Sequence, residues 1–93
     1  YHALMAIRAA NELGINVPNE LSIVGFGDLP MLSVMAEPQL TTVNQFPVDI
    51  GRKAADTLLL SLSGRTTRVE LRHPAKRVDR ASVRKAKSTL VVA

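Results

Sequence analysis

"LSIVGFGDLP", Leu21 to Pro30, is the stretch on which the reading of this chain turns. Leu21, Ile23, Val24 and Phe26 make a short, nearly continuous apolar run. A run of that kind marks a parallel strand covered on both faces. It stops on Gly25-Phe26-Gly27-Asp28 and Pro30, which are residues of a tight turn or loop. A buried strand whose carboxyl end opens into a loop is where α/β proteins bind their ligands. Such a loop could be a nucleotide site, a sugar site or only a turn, and the glycine at position 27 needs a reason.

Upstream, Ala3, Ile7, Ala10 and Leu13 share one face at helical spacing, with Arg8, Asn11 and Glu12 opposite. This predicts an amphipathic helix from about His2 to Leu13, stopped by Gly14. Pro18 and Asn19 supply a short turn before the apolar strand. Downstream, one helical turn fits between Pro30 and Pro38. "LTTVNQ", residues 40–45, is rich in β-branched residues and reads as a second strand. Pro47 suits the first turn of a helix. Ile50, Ala54, Ala55, Leu58, Leu59 and Leu62 then form a wide apolar stripe, closed by Gly64. "RVELRHPAKRVDR", residues 68–80, alternates loosely, as one or two edge strands interrupted by Pro74. Helices interleaved with apolar strands indicate an α/β sheet. Three strands and two longer helices make a thin core, so 93 residues of this pattern read as part of a larger domain.

Composition narrows the function. The chain has no cysteine, which removes disulfides, thiolate chemistry and cysteine zinc sites and fits a reducing compartment. No stretch has the apolar length of a membrane span, and no signal peptide is evident at the start. Residues 1–64 hold three bases and six acids, whereas residues 65–93 hold nine bases and two acids. The bases have no interleaved aromatics, so they do not resemble a single-strand stacking surface. His2 and His73 fall in different elements, and no serine sits in a G-x-S-x-G elbow. Asp28 and Glu37 both lie in irregular chain. Nothing in this set argues for an enzyme. Gly25-x-Gly27 begins like a dinucleotide fingerprint, but Pro30 stands about where the third glycine belongs, and no long helix follows.

Taken together, "ALMAIRAANELGINVPNELSIVGFGDLP", "LTTVNQ", "DIGRKAADTLLLSLSGR" and the closing Arg80-Ala81-Ser82 resemble the C-terminal end of the lactose/galactose-repressor family. The resemblance covers roughly residues 3–82. It implies an α/β fragment of the C-terminal lobe of a periplasmic-binding-protein-like fold, a parallel sheet flanked by helices. Residues 1–82 are then a partial lobe of an effector domain and 83–93 a basic C-terminal tail.

The implied function is the effector-sensing and dimerising part of a cytoplasmic transcriptional regulator. Its partners are a small sugar or sugar acid, a second copy of the chain, and operator DNA contacted through an N-terminal domain that this chain lacks. Neither a cofactor nor a membrane is implied. By this resemblance Gly27, Asp28 and Gln45 are effector-binding positions, and Leu29, Met31, Leu32, Val34 and Met35 lie at a dimer interface. Many family members carry Asp-Asp where this chain has Gly27-Asp28. The missing acid favours an anionic ligand such as gluconate, in a gluconate-regulator-like subgroup. A periplasmic-type sugar-binding transport protein of the same core fold is the alternative.

Overall fold

The computed structural model describes residues 1–65 and 68–86. In chain order the elements are α1 (His2–Glu12), α2 (Pro30–Met35), β1 (Thr42–Asn44), α3 (Pro47–Leu62) and β2 (Lys76–Val78). Helix α1 ends one residue short of the expected limit. Leu13 therefore leaves the apolar face and is exposed. Ile7 and Ala10 carry that face into a small core with Val17, Ile23 and Leu40.

The sheet differs from the expected parallel arrangement. Among the described residues its one ladder is antiparallel, β1 against β2, with Thr42 opposite Val78 and Asn44 opposite Lys76. The apolar run of Leu21–Phe26 joins it through a single parallel bridge, Val24 to Thr41. Alternate amides of the run still point at the same neighbour: Gly25 donates to the Thr41 carbonyl and Gly27 to that of Val43, both at 2.9 Å. At Ile23 the pattern changes, because the Ser82 hydroxyl sits between the two strands. It donates to the Ile23 carbonyl at 2.6 Å and accepts from the Thr41 amide at 2.8 Å. A hydroxyl interposed in this way satisfies both backbone groups but replaces a direct ladder bond. The amides of Ser22, Val24 and Phe26 face the other edge and have no backbone partner among the described residues. Val24 and Phe26 are accordingly exposed.

Helix α3 begins with Pro47 and carries Asp49 in its first turn, where a carboxylate favours the helix dipole. Just before it the chain turns sharply: Phe46 adopts φ +54°, and its amide donates to Asn44 Oδ1 at 2.8 Å. The apolar stripe predicted for α3 exists, but none of its residues is buried, and Leu59 and Leu62 are largely exposed. Of residues 68–80 only Lys76–Val78 forms a strand. Pro74 lacks the amide that would extend the ladder backwards. The basic tail is described only to residue 86, so residues 87–93 lie outside the described residues.

Candidate binding cleft

The run 21–27 and the segment 41–44 lie side by side, and the loop Gly25–Asp28 leaves the carboxyl end of the first. Gln45 follows the end of the second. The two glycines in the loop answer different needs. A methyl group at Gly25 would stand 2.9 Å from Leu40 Cδ2 and 3.4 Å from Ala3 Cβ. The absence of a side chain there lets α1 and the Leu40 segment close on the strand. Gly27 has nothing within 4 Å of such a group but adopts φ +76°, which L side chains rarely take. Its amide and that of Asp28 both donate to the Val43 carbonyl, at 2.9 and 3.1 Å.

A cleft of about 230 Å³ opens against this loop. Gly25 and Gly27 form part of its wall, Leu40 and Thr42 line it from the neighbouring segment, and Tyr1 and His2 contribute from the start of α1. The arrangement mixes apolar surface with hydroxyl, imidazole and backbone polar groups, as small-molecule sites do. Gly27 lines the cleft, whereas Asp28 and Gln45 do not. Gln45 is half-buried beside the Phe46 turn. The sequence pattern assigns no binding role to Tyr1, His2 or Thr42: His2 has no partner at motif spacing, and Thr42 in LTTVNQ reads as a strand residue.

Asp28 does not line the cleft, and its side chain is buried in the protein. Arg80 grips its carboxylate with both ends of the guanidinium, at 2.9 and 3.2 Å. The Asp28 side chain is 4% exposed and that of Arg80 12%. Arg80 also donates to the Leu40 carbonyl at 2.8 Å, and its own amide donates to Thr41 Oγ1 at 2.9 Å. The hydrogen bond from Arg80 holds the Asp28 carboxyl below the ordinary range. Burial opposes the shift, while the Ser33 hydroxyl and the Arg80 charge add to it.

Beyond the loop, Leu29, Met31, Leu32, Val34 and Met35 surround the short helix α2, with only Ser33 turned inward. Met31 and Met35 are about three-quarters exposed, at 76% and 75%. Leu32 and Met35 continue into a groove with Leu4 and Ile7 of α1, rimmed by Arg8 and Glu12. Among the described residues no three His, Cys, Asp or Glu side chains gather as a metal site. No helix among them is long and apolar enough to cross a membrane.

The protein family described as "periplasmic binding protein-like domain" matches residues 1–83. The lactose operon repressor of Rhizobium radiobacter is 31% identical over 83 residues, which cover 89% of this chain and 73% of that protein. The chain belongs to the lactose-repressor family. The transcriptional regulator MalR of Streptomyces coelicolor is 45% identical over 62 residues, 67% of this chain and 18% of the regulator. Among solved structures, the lac repressor dimer bound to operator and the anti-inducer ONPF superposes with a TM-score of 0.80 at 32% identity. That match covers 87% of this chain and 28% of the repressor chain. The chain thus spans less than a fifth of MalR and under a third of the lac repressor chain. These relatives are regulators and repressors, not enzymes, and they favour a regulator over a transport protein. The α/β character expected from the sequence agrees with them.

Proposed function

We propose that this chain is the C-terminal effector-sensing and dimerising part of a cytoplasmic, DNA-binding transcriptional regulator that responds to a small sugar or sugar acid. The observation that carries the reading is the shared strand end. Gly27 and Gln45 stand at the carboxyl ends of two adjacent segments, with the cleft opening against the first. This is the place where an α/β sheet offers backbone amides and side chains to a ligand. Effector binding shifts the population between operator-competent and incompetent forms, and operator contacts are made by an N-terminal domain outside this chain. The repressor solved with operator and anti-inducer supports that scheme.

Within this reading Gly27 selects a sugar acid such as gluconate, as in a gluconate-regulator-like protein. The φ of +76° supplies a competing reason for the glycine, and Asn tolerates that geometry better than most residues. Calorimetry on full-length wild type, Gly27→Asn and Gly27→Asp, with D-gluconate and D-galactose, separates the two. Asp is expected to weaken gluconate binding by about one to two decades relative to Asn, with a smaller effect on galactose. Equal losses in Asn and Asp would show that the glycine serves the backbone alone. Binding of neither ligand by the wild type would remove both compounds as effectors.

A further inference from the structure

Arg80 touches two parts of the cleft without lining it. Through Asp28 it holds the residue next to Gly27, in the wall. Through the Leu40 carbonyl it holds a residue whose side chain also lines the cleft. We propose that Arg80 is a positioning residue for the cleft: it fixes the Gly25–Asp28 loop against the Leu40 segment and thereby sets where Gly27 stands. The proposal rests on reading this cleft as the effector site, and it assigns Asp28 to the support of the loop instead of to the ligand.

Three features carry it. A Cβ at Gly27 would meet nothing within 4 Å, and the backbone bonds that hold this point are those of Gly27 and the anchored Asp28 to the Val43 carbonyl. A glycine is the most permissive link in a chain, and a wall built on one needs a fixed neighbour. The anchor itself is rigid. Arg80 makes two bonds to the carboxylate and one to a carbonyl, and its own amide is held by Thr41 Oγ1. Both partners are also withdrawn from water, so solvent offers the carboxylate little alternative. The planar fork of arginine matches both carboxylate oxygens at once; a lysine ammonium keeps the charge but loses that match.

The test uses full-length protein carrying Arg80→Lys or Asp28→Asn, compared with wild type by amide hydrogen exchange. In each variant the Gly27 and Asp28 amides are expected to be accelerated at least about tenfold more than those of Ile7 and Ala10 in α1, whose exchange reports global stability. Equal acceleration in α1 and the loop would make the pair a general stabiliser and overturn the proposal, as would an unchanged loop. Should Arg80→Lys fail to fold, the nearly isosteric Asp28→Asn supplies the same comparison. A second arm measures Kd for D-gluconate and D-galactose. Arg80→Lys is expected to raise Kd about tenfold for whichever probe the wild type binds. An unchanged Kd beside a loosened loop would sever Arg80 from the cleft. If the wild type binds neither probe, the effector reading fails on its own, and hydrogen exchange still decides whether Arg80 positions the loop.

Discussion

Asp28 lies in the grip of Arg80, with its side chain only 4% exposed. The family resemblance makes it a candidate to contact the effector or to cap the following turn, whereas both of its oxygens are occupied by Arg80. Breaking a buried pair by removing one partner costs about 3–5 kcal/mol. The pH dependence follows from the lowered carboxyl pKa. Unfolded Asp28 titrates near about 4. Above that value the folded state keeps the full contribution of the pair. The contribution declines as pH falls through the ordinary range and is lost below the depressed native pKa. Thermal melts from pH 7 to pH 3 should therefore start lower for Asp28→Asn at neutral pH and converge on wild type in acid. Parallel curves would rule out the pair as a source of acid sensitivity. The turn at Gly25–Asp28 was legible because glycine and aspartate are local signals. The partner was not, because Arg80 lies 52 residues away and no local periodicity links two opposite charges across that distance. Only the Arg80-Ala81-Ser82 motif pointed there, as part of a resemblance.

At the scale of elements, the helices were legible and the strands less so. Helical spacing of apolar residues, Pro47 at a helix start and glycines beyond helix ends placed α1 and α3 within a residue or two. Strands depend on partners elsewhere in the chain. Residues 68–75 have an alternating pattern but find no ladder, whereas Lys76–Val78 meet β1. The short helix α2 is apolar on nearly every side, which a free surface has little reason to be. As an interface element it supports the proposed dimer, together with its groove against α1. Met31→Asp or Leu32→Asp in the full-length protein should place an unpaired charge in that contact and shift sedimentation towards monomer. An undisturbed dimer in both variants would remove α2 from the interface.

Across the whole molecule, the uneven charge raises the question of DNA contact. Arg84 is engaged with the domain itself: its amide donates to Ser22 Oγ at 3.1 Å, and its guanidinium reaches Asn19 Oδ1 at 3.4 Å. Lys85 is exposed, and Lys87 lies outside the described residues. If operator binding belongs to another domain, neutralising Arg84, Lys85 and Lys87 together leaves the slope of log affinity against log salt nearly unchanged. Every phosphate that these side chains neutralise would instead flatten the slope by about one unit on their removal. A change of two or three units, measured by titration on operator DNA, would give the tail a direct role. The α/β class was legible from the alternation of helices and apolar runs. Among the described residues no parallel ladder forms, and Leu21–Phe26 joins its neighbour through a single parallel bridge. The Ser82 hydroxyl that fills the gap on that edge also sets an order of events during synthesis. Thr41 and Ser82 are 41 positions apart. At about 5–20 residues per second, a ribosome leaves the first strand pair waiting some seconds for the side chain that joins it. A premature stop codon before Arg80 would release a polypeptide in which the two segments have neither clasp nor bridging hydroxyl.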